Sequence, residues 1–181
     1  VITDAIQPES DRASDIMEAV WSRLEPLDLR LPKSWGIFVE PASIAGLTQP
    51  ASLGDLNESG KIFGKRMQCL LDSQPLFRPD AFRELQLQLL EWYGAGFLAK
   101  DPQREWTYLL NDLMRYYRSY AAWQQYELKI EHDDSWYIRN AKLRASRLIM
   151  YAGMLLLLGE CSRLEGDNKI EWLLNKLALT P

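Results

Sequence analysis

Two segments of this chain carry the same side chains at the same spacing. They are Asn111-Asp-Leu-Met-Arg115-Tyr-Tyr-Arg118 and Asn140-Ala-Lys-Leu-Arg144-Ala-Ser-Arg147. At 100° per residue, positions i, i+4 and i+7 of a helix share one stripe. Asn111, Arg115 and Arg118 therefore share a face, and so do Asn140, Arg144 and Arg147. A guanidinium presents a rigid fork of donors suited to phosphate or carboxylate. If the two stripes face one another, four guanidiniums and two amides converge on a single cavity. Like charges so close need an acidic answer. That answer is either internal, from Asp112, Glu127, Glu131, Asp133, Asp134 and more distant acids such as Glu91 and Glu105, or a bound anion such as a nucleotide phosphate. Lys142, one stripe over, could serve the same anion or sit on a solvated face with Arg139.

Other chemistry-bearing residues are sparse. His132 is the sole histidine and lies in the polar run Glu131-His132-Asp133-Asp134, where solvation is its ordinary fate. No Ser-His-Asp set, glycine-rich phosphate loop or zinc spacing occurs. The two cysteines, Cys69 and Cys161, stand far apart and read as free core thiols, which fits a reducing cytosol. The aromatics Trp106, Tyr116, Tyr117, Tyr120, Trp123, Tyr126, Trp136 and Tyr137 interleave with the arginines, and the pattern assigns most of them to the core.

The elements that must hold these residues follow from periodicity and punctuation. Ile16, Met17, Val20, Trp21 and Leu24 recur at helical spacing, so a helix covers about 10–24, with Pro26 as its stop. Trp35 to Val39 reads as a strand and 42–60 as a long loop or linker. Val1-Ile2-Thr3 reads as the tail of a strand entered midway. Residues 1–52 thus look like a partial α/β segment, a short β-α-β remnant with its linker. Helices follow at about 60–73, 79–93, 103–129, 134–158 and 167–178, giving a bundle of about five helices over 53–181. The fold class expected is mainly α.

Composition narrows the function. With 181 residues, 47% of them hydrophobic, the chain can bury a core unaided. A formal charge of -4 speaks against a general nucleic-acid binder, which needs a continuous basic surface. The longest apolar run, Leu148 to Leu158, is too short to span a bilayer, and no secretory signal opens the chain.

The runs Leu109–Arg118 and Trp136–Arg147, with Ser59–Phe77 upstream and its Arg66-Met67 pair, resemble the helical C-terminal portion of bacterial nucleotidyltransferase-like proteins. The resemblance covers roughly residues 53–158. It implies a preceding α/β domain whose Gly-Ser turn and Asp-x-Asp carboxylates hold Mg²⁺ against a nucleoside triphosphate. Neither motif stands in this chain, so the segment itself implies no cofactor, and the catalytic elements would precede Val1. Glu40, closing the strand expected at 35–39, is where a third carboxylate could stand. Under this resemblance the arginine stripes would offer cations to a triphosphate or an acidic acceptor in a cytoplasmic enzyme. The alternative is a non-catalytic helical module that binds a protein partner, as in toxin–antitoxin or defence systems. A large exposed apolar patch and arginines closed by internal acids would favour it.

Overall fold

A computed structural model describes residues 2–3, 11–28, 39–94, 104–131, 136–166 and 168–179. The protein is mainly helical, and it divides into two compact units, Val1–Arg66 and Met67–Pro181.

In the first unit, strand β1 (Ile2–Thr3) pairs in parallel with β2 (Ala42–Ser43), and helix α1 spans Asp11–Leu24. Ala13 and Met17, one turn apart, are the buried residues of α1. A ladder of two residues per strand is a bridge rather than a sheet able to carry a domain, so a remnant of an α/β domain finds no support. The strand expected at Trp35–Val39 lies outside the described residues except for Val39, which sits in a bend.

The stretch 42–60, expected to be a loop or linker, is instead short helical turns pinned to the core. Ser43 caps α2 (Ile44–Leu47) by accepting a hydrogen bond from the Gly46 amide at 3.0 Å. A 3-10 turn follows at Pro50–Ser52. Arg66, from helix α3 (Gly60–Leu71), supplies the anchor. It is fully buried, donates from Nε to the Leu47 carbonyl at 2.8 Å, and pairs through both terminal nitrogens with Glu58. One side chain thus replaces the water that a polar loop would otherwise need.

The second unit is built from the helices expected of it. Helix α4 (Pro79–Gly94) has Pro at its first position, where no intrahelical N–H is needed, and Asp80 in its first turn. Helix α5 (Thr107–Glu131) runs unbroken for 25 residues. Helix α6 (Trp136–Lys142) passes through a π-helical turn, Leu143–Arg147, into α7 (Leu148–Arg163). Helix α8 (Lys169–Leu177) packs on α4 and α7. Leu85, Leu89, Leu109, Leu113, Met154, Leu158, Leu173 and Leu174 form the core of this unit. Cys69 and Cys161 are free thiols inside it.

Candidate functional site

The members of the two arginine stripes meet different surroundings. On α5 the buried residues include Leu109, Asp112 and Leu113, and the Asn111/Arg115/Arg118 stripe points away from them. Asn111 and Arg118 are exposed. Arg115 is half-buried and lies 3.7 Å from Asp112, whose carboxylate also accepts the Tyr93 hydroxyl at 2.8 Å.

The second stripe is broken by backbone geometry. Its last two members, Arg144 and Arg147, both fall in the π turn at 143–147. An i→i+5 turn inserts one extra residue into the helical winding, so the four-and-seven spacing no longer describes one face. Arg144 is left exposed, while Arg147 turns inward and pairs with Asp72. Lys142 is exposed and Asn140 is half-buried. A cavity of about 260 Å³ lies at the α3–α4 turn, lined by residues such as Cys69, Asp72, Phe82 and Gln86 and by none of the motif residues.

Around Arg147 the structure gathers a polar–aromatic cluster that spacing alone did not reveal. The guanidinium stands 5.6 Å from the Tyr120 ring centroid, a cation–π distance. Gln68 donates to the Tyr116 hydroxyl at 2.6 Å, and the Tyr151 ring meets Tyr117 edge-on at 4.9 Å. Burial works against charge on Arg147, yet the Asp72 carboxylate more than compensates and holds its pKa above the ordinary value. Burial raises the Tyr116 and Tyr151 phenols, so both stay neutral. Asp72 lies 75 residues from Arg147, and no periodicity links positions that far apart.

The other acids close the neighbouring cations in the same way. Glu127 accepts from Arg139 at 2.8 Å. Glu105 pairs with Lys169, both buried. Arg118 and Arg144 carry no ion pair among the described residues. Glu40 is half-exposed and accepts from Lys61. That hydrogen bond, opposed by slight burial and helped by the charges of Lys61 and Lys65, holds its pKa below the ordinary carboxylate value. Among the described residues no group of His, Cys, Asp and Glu is arranged to hold a metal ion. His132 lies outside the described residues.

The chain matches no known family model, no curated protein and no solved structure.

The geometry is dominated by surface the aromatic pattern had assigned to the core. Trp106 is buried as expected, whereas Trp123, Tyr126 and Tyr137 are exposed, Tyr137 by 75%. Helix α7 is apolar on every side, a pattern that belongs to a helix covered all round. Only Tyr151, Met154, Leu158 and Cys161 are buried. The opposite face presents Leu148, Ile149, Ala152, Leu156 and Gly159 to solvent, with Ile149 and Leu156 more than 70% exposed. The apolar run at 148–158 is moreover part of one longer helix. Residues Tyr137–Arg163 reach the length and composition of a bilayer span. The uncharged part, Leu148–Gly159, is only about 18 Å long against roughly 30 Å of hydrocarbon. Arg139, Lys142, Arg144, Arg147, Glu160 and Arg163 stand in the rest.

Proposed function

We propose that this chain is a helical protein-interaction module that engages its partner through the exposed apolar face of α6 and α7. One observation carries the reading: a helix apolar on all sides leaves half its circumference in water. Contiguous apolar surface of that kind marks interaction sites in soluble proteins. The pairing of Arg147 with Asp72 and of Arg139 with Glu127 supports it further, since these arginines already have internal counter-charges. The buried free thiols accord with a reducing cytosol. The nucleotidyltransferase resemblance supplies a second reading, in which Arg118 and Arg144 meet nucleotide phosphates. Their exposure without ion pairs among the described residues is what favours it.

Two measurements separate the readings. A photo-crosslinking amino acid at Leu156 or Ile149 is expected to give one discrete protein adduct in the native host, and the same probe at Glu84 none. Absence of any adduct from both α7 positions would overturn the interaction reading. Calorimetry with ATP and Mg²⁺ is expected to show no saturable heat. Saturable heat that Arg118→Ala and Arg144→Ala abolish would establish the nucleotide reading instead.

A further inference from the structure

We propose that the cavity at the α3–α4 turn binds a small organic amine, alkyl or arylalkyl, as its ammonium cation. The cavity lies wholly within the 67–181 unit and shares no residue with the exposed face of α7.

Polar groups with unused hydrogen-bonding capacity on a cavity wall mark it as a candidate site. Gln86 is such a group, and it is only 8% exposed. Its amide nitrogen donates to the Cys69 carbonyl at 3.0 Å. Its amide oxygen accepts from no group among the described residues, yet it is not shut off from solvent. In a side chain so buried, that opening is the cavity which Gln86 lines. An N–H from a ligand would complete the amide.

The remaining wall is built to accept rather than to donate. Asp72 gives one carboxylate oxygen to Arg147, and its other oxygen has no partner among the described residues. Asp80, also on the wall, is exposed and makes no ion pair with any described residue. Helix α3 ends here, and the Leu70 and Leu71 carbonyls accept no hydrogen bond from the described residues. Its last turn holds no basic side chain to answer the negative end of the helix dipole. The one cation on the wall, Arg83, directs a terminal nitrogen to Glu171 and Asn175 of α8. Helix α4 starts at the same cavity, but Pro79 has no N–H to offer an anion, and Asp80 answers that helix's positive end. Positive charge is what the site lacks.

An ammonium group carries three donors and no acceptor. It thus complements the Gln86 oxygen, the Asp72 carboxylate and the α3 carbonyls. Pro75, Pro79, Phe82 and Leu177 supply an apolar wall for the body of the ligand. The volume of about 260 Å³ falls below the roughly 300 Å³ at which drug-sized pockets begin. That suits an amine with a short apolar body better than a nucleotide. For so few atoms a dissociation constant on the order of 0.1 mM is expected.

Titration of the isotope-labelled full chain with phenethylammonium, followed by amide chemical shifts, tests this. Saturable shifts are expected at Cys69–Ser73, Phe82–Gln86 and Leu177–Ala178. Phenethyl alcohol, of the same shape without the charge, should bind about tenfold more weakly, and phenylacetate should not bind. Asp80→Asn, at an exposed position, should keep the circular dichroism of the parent and weaken the amine about fivefold. Gln86→Met should weaken it about tenfold; if that variant does not fold, Asp80→Asn decides alone. Absence of saturable shifts overturns the inference, and so does an alcohol that binds as tightly as the amine. Tighter binding of phenylacetate, or an affinity that Asp80→Asn leaves unchanged, overturns the cation preference. An N-acetyl-lysine amide that binds more tightly than phenethylammonium overturns the small-molecule source in favour of a lysine side chain.

Discussion

Arg66 is a charged side chain with no exposure, and removing one partner of a buried ion pair costs more than the pair contributes, because the other charge stays behind unanswered. Glu58 would be that remaining charge, its side chain being only 4% exposed. Arg66→Met is therefore expected to destabilise the protein by about 3–5 kcal/mol in urea unfolding. Adding Glu58→Gln should recover part of the loss. If the double variant is no more stable than Arg66→Met, the cost lies in lost packing or in the Leu47 carbonyl and not in the stranded carboxylate. The sequence singled out the Arg66-Met67 pair but contained nothing to indicate why the arginine is buried. Its acceptors lie 8 and 19 residues away, in a stretch whose polar composition reads as loop. The members of the twin arginine motifs divide for a related reason. Helical spacing tells which side chains share a face, and it does not tell whether that face meets a neighbour, as Arg147 does, or water, as Arg118 does.

Among the elements, helix positions were legible wherever punctuation is chemical. Pro79 opens α4, Gly94 ends it, and Gly166 precedes α8 in a left-handed backbone conformation that suits glycine. The π turn was not legible, because Leu143-Arg-Ala-Ser-Arg147 contains only residues that an ordinary helix accepts. Its effect is nonetheless specific, since it swings Arg147 toward Asp72 while Arg144 stays outside. The attachment of α8 depends on one interaction more than on its neighbours. Lys169, at its start, pairs with Glu105 and also lies 3.4 Å from the Ser162 carbonyl. On its outer face Arg83 of α4 reaches Glu171 at 2.6 Å and Asn175 at 2.9 Å, in water. Lys169→Met should cost about 3–5 kcal/mol by stranding Glu105, and Arg83→Ala less than about 1 kcal/mol. Hydrogen exchange should then quicken across 169–177 in the first variant and little in the second. Equal effects would mean that the exposed cluster holds the helix as firmly as the buried pair.

For the molecule as a whole, the formal charge of -4 sets how it meets solvent, but its pH limits come from groups hidden in the 67–181 unit. Burial pushes the Cys69 thiol up to about 11 from an ordinary value of 9.0. Burial likewise raises Cys161 to about 11, with the neighbouring Trp106 acting in the opposite direction. Tyr116 and Tyr151 are raised by burial as well. Each group is neutral when protonated, so the unfolded chain releases these protons at lower pH than the folded one does. Between pH 9 and about 11 the unfolded state therefore binds fewer protons, and stability falls as pH rises. The thiol contribution is fully present below pH 9 and is spent by about pH 11. One pH unit across that window is worth about 1.4 kcal/mol per thiol, so Cys69 alone should remove about 2 kcal/mol by pH 10.5. Urea midpoints followed by the fluorescence of the buried Trp92 and Trp106 will measure this. Cys69→Ala should start less stable at pH 8, because of its cavity, and then lose about 2 kcal/mol less than the parent chain between pH 8 and 10.5. Parallel losses in the two proteins would shift the alkaline limit from the thiol to the buried phenols.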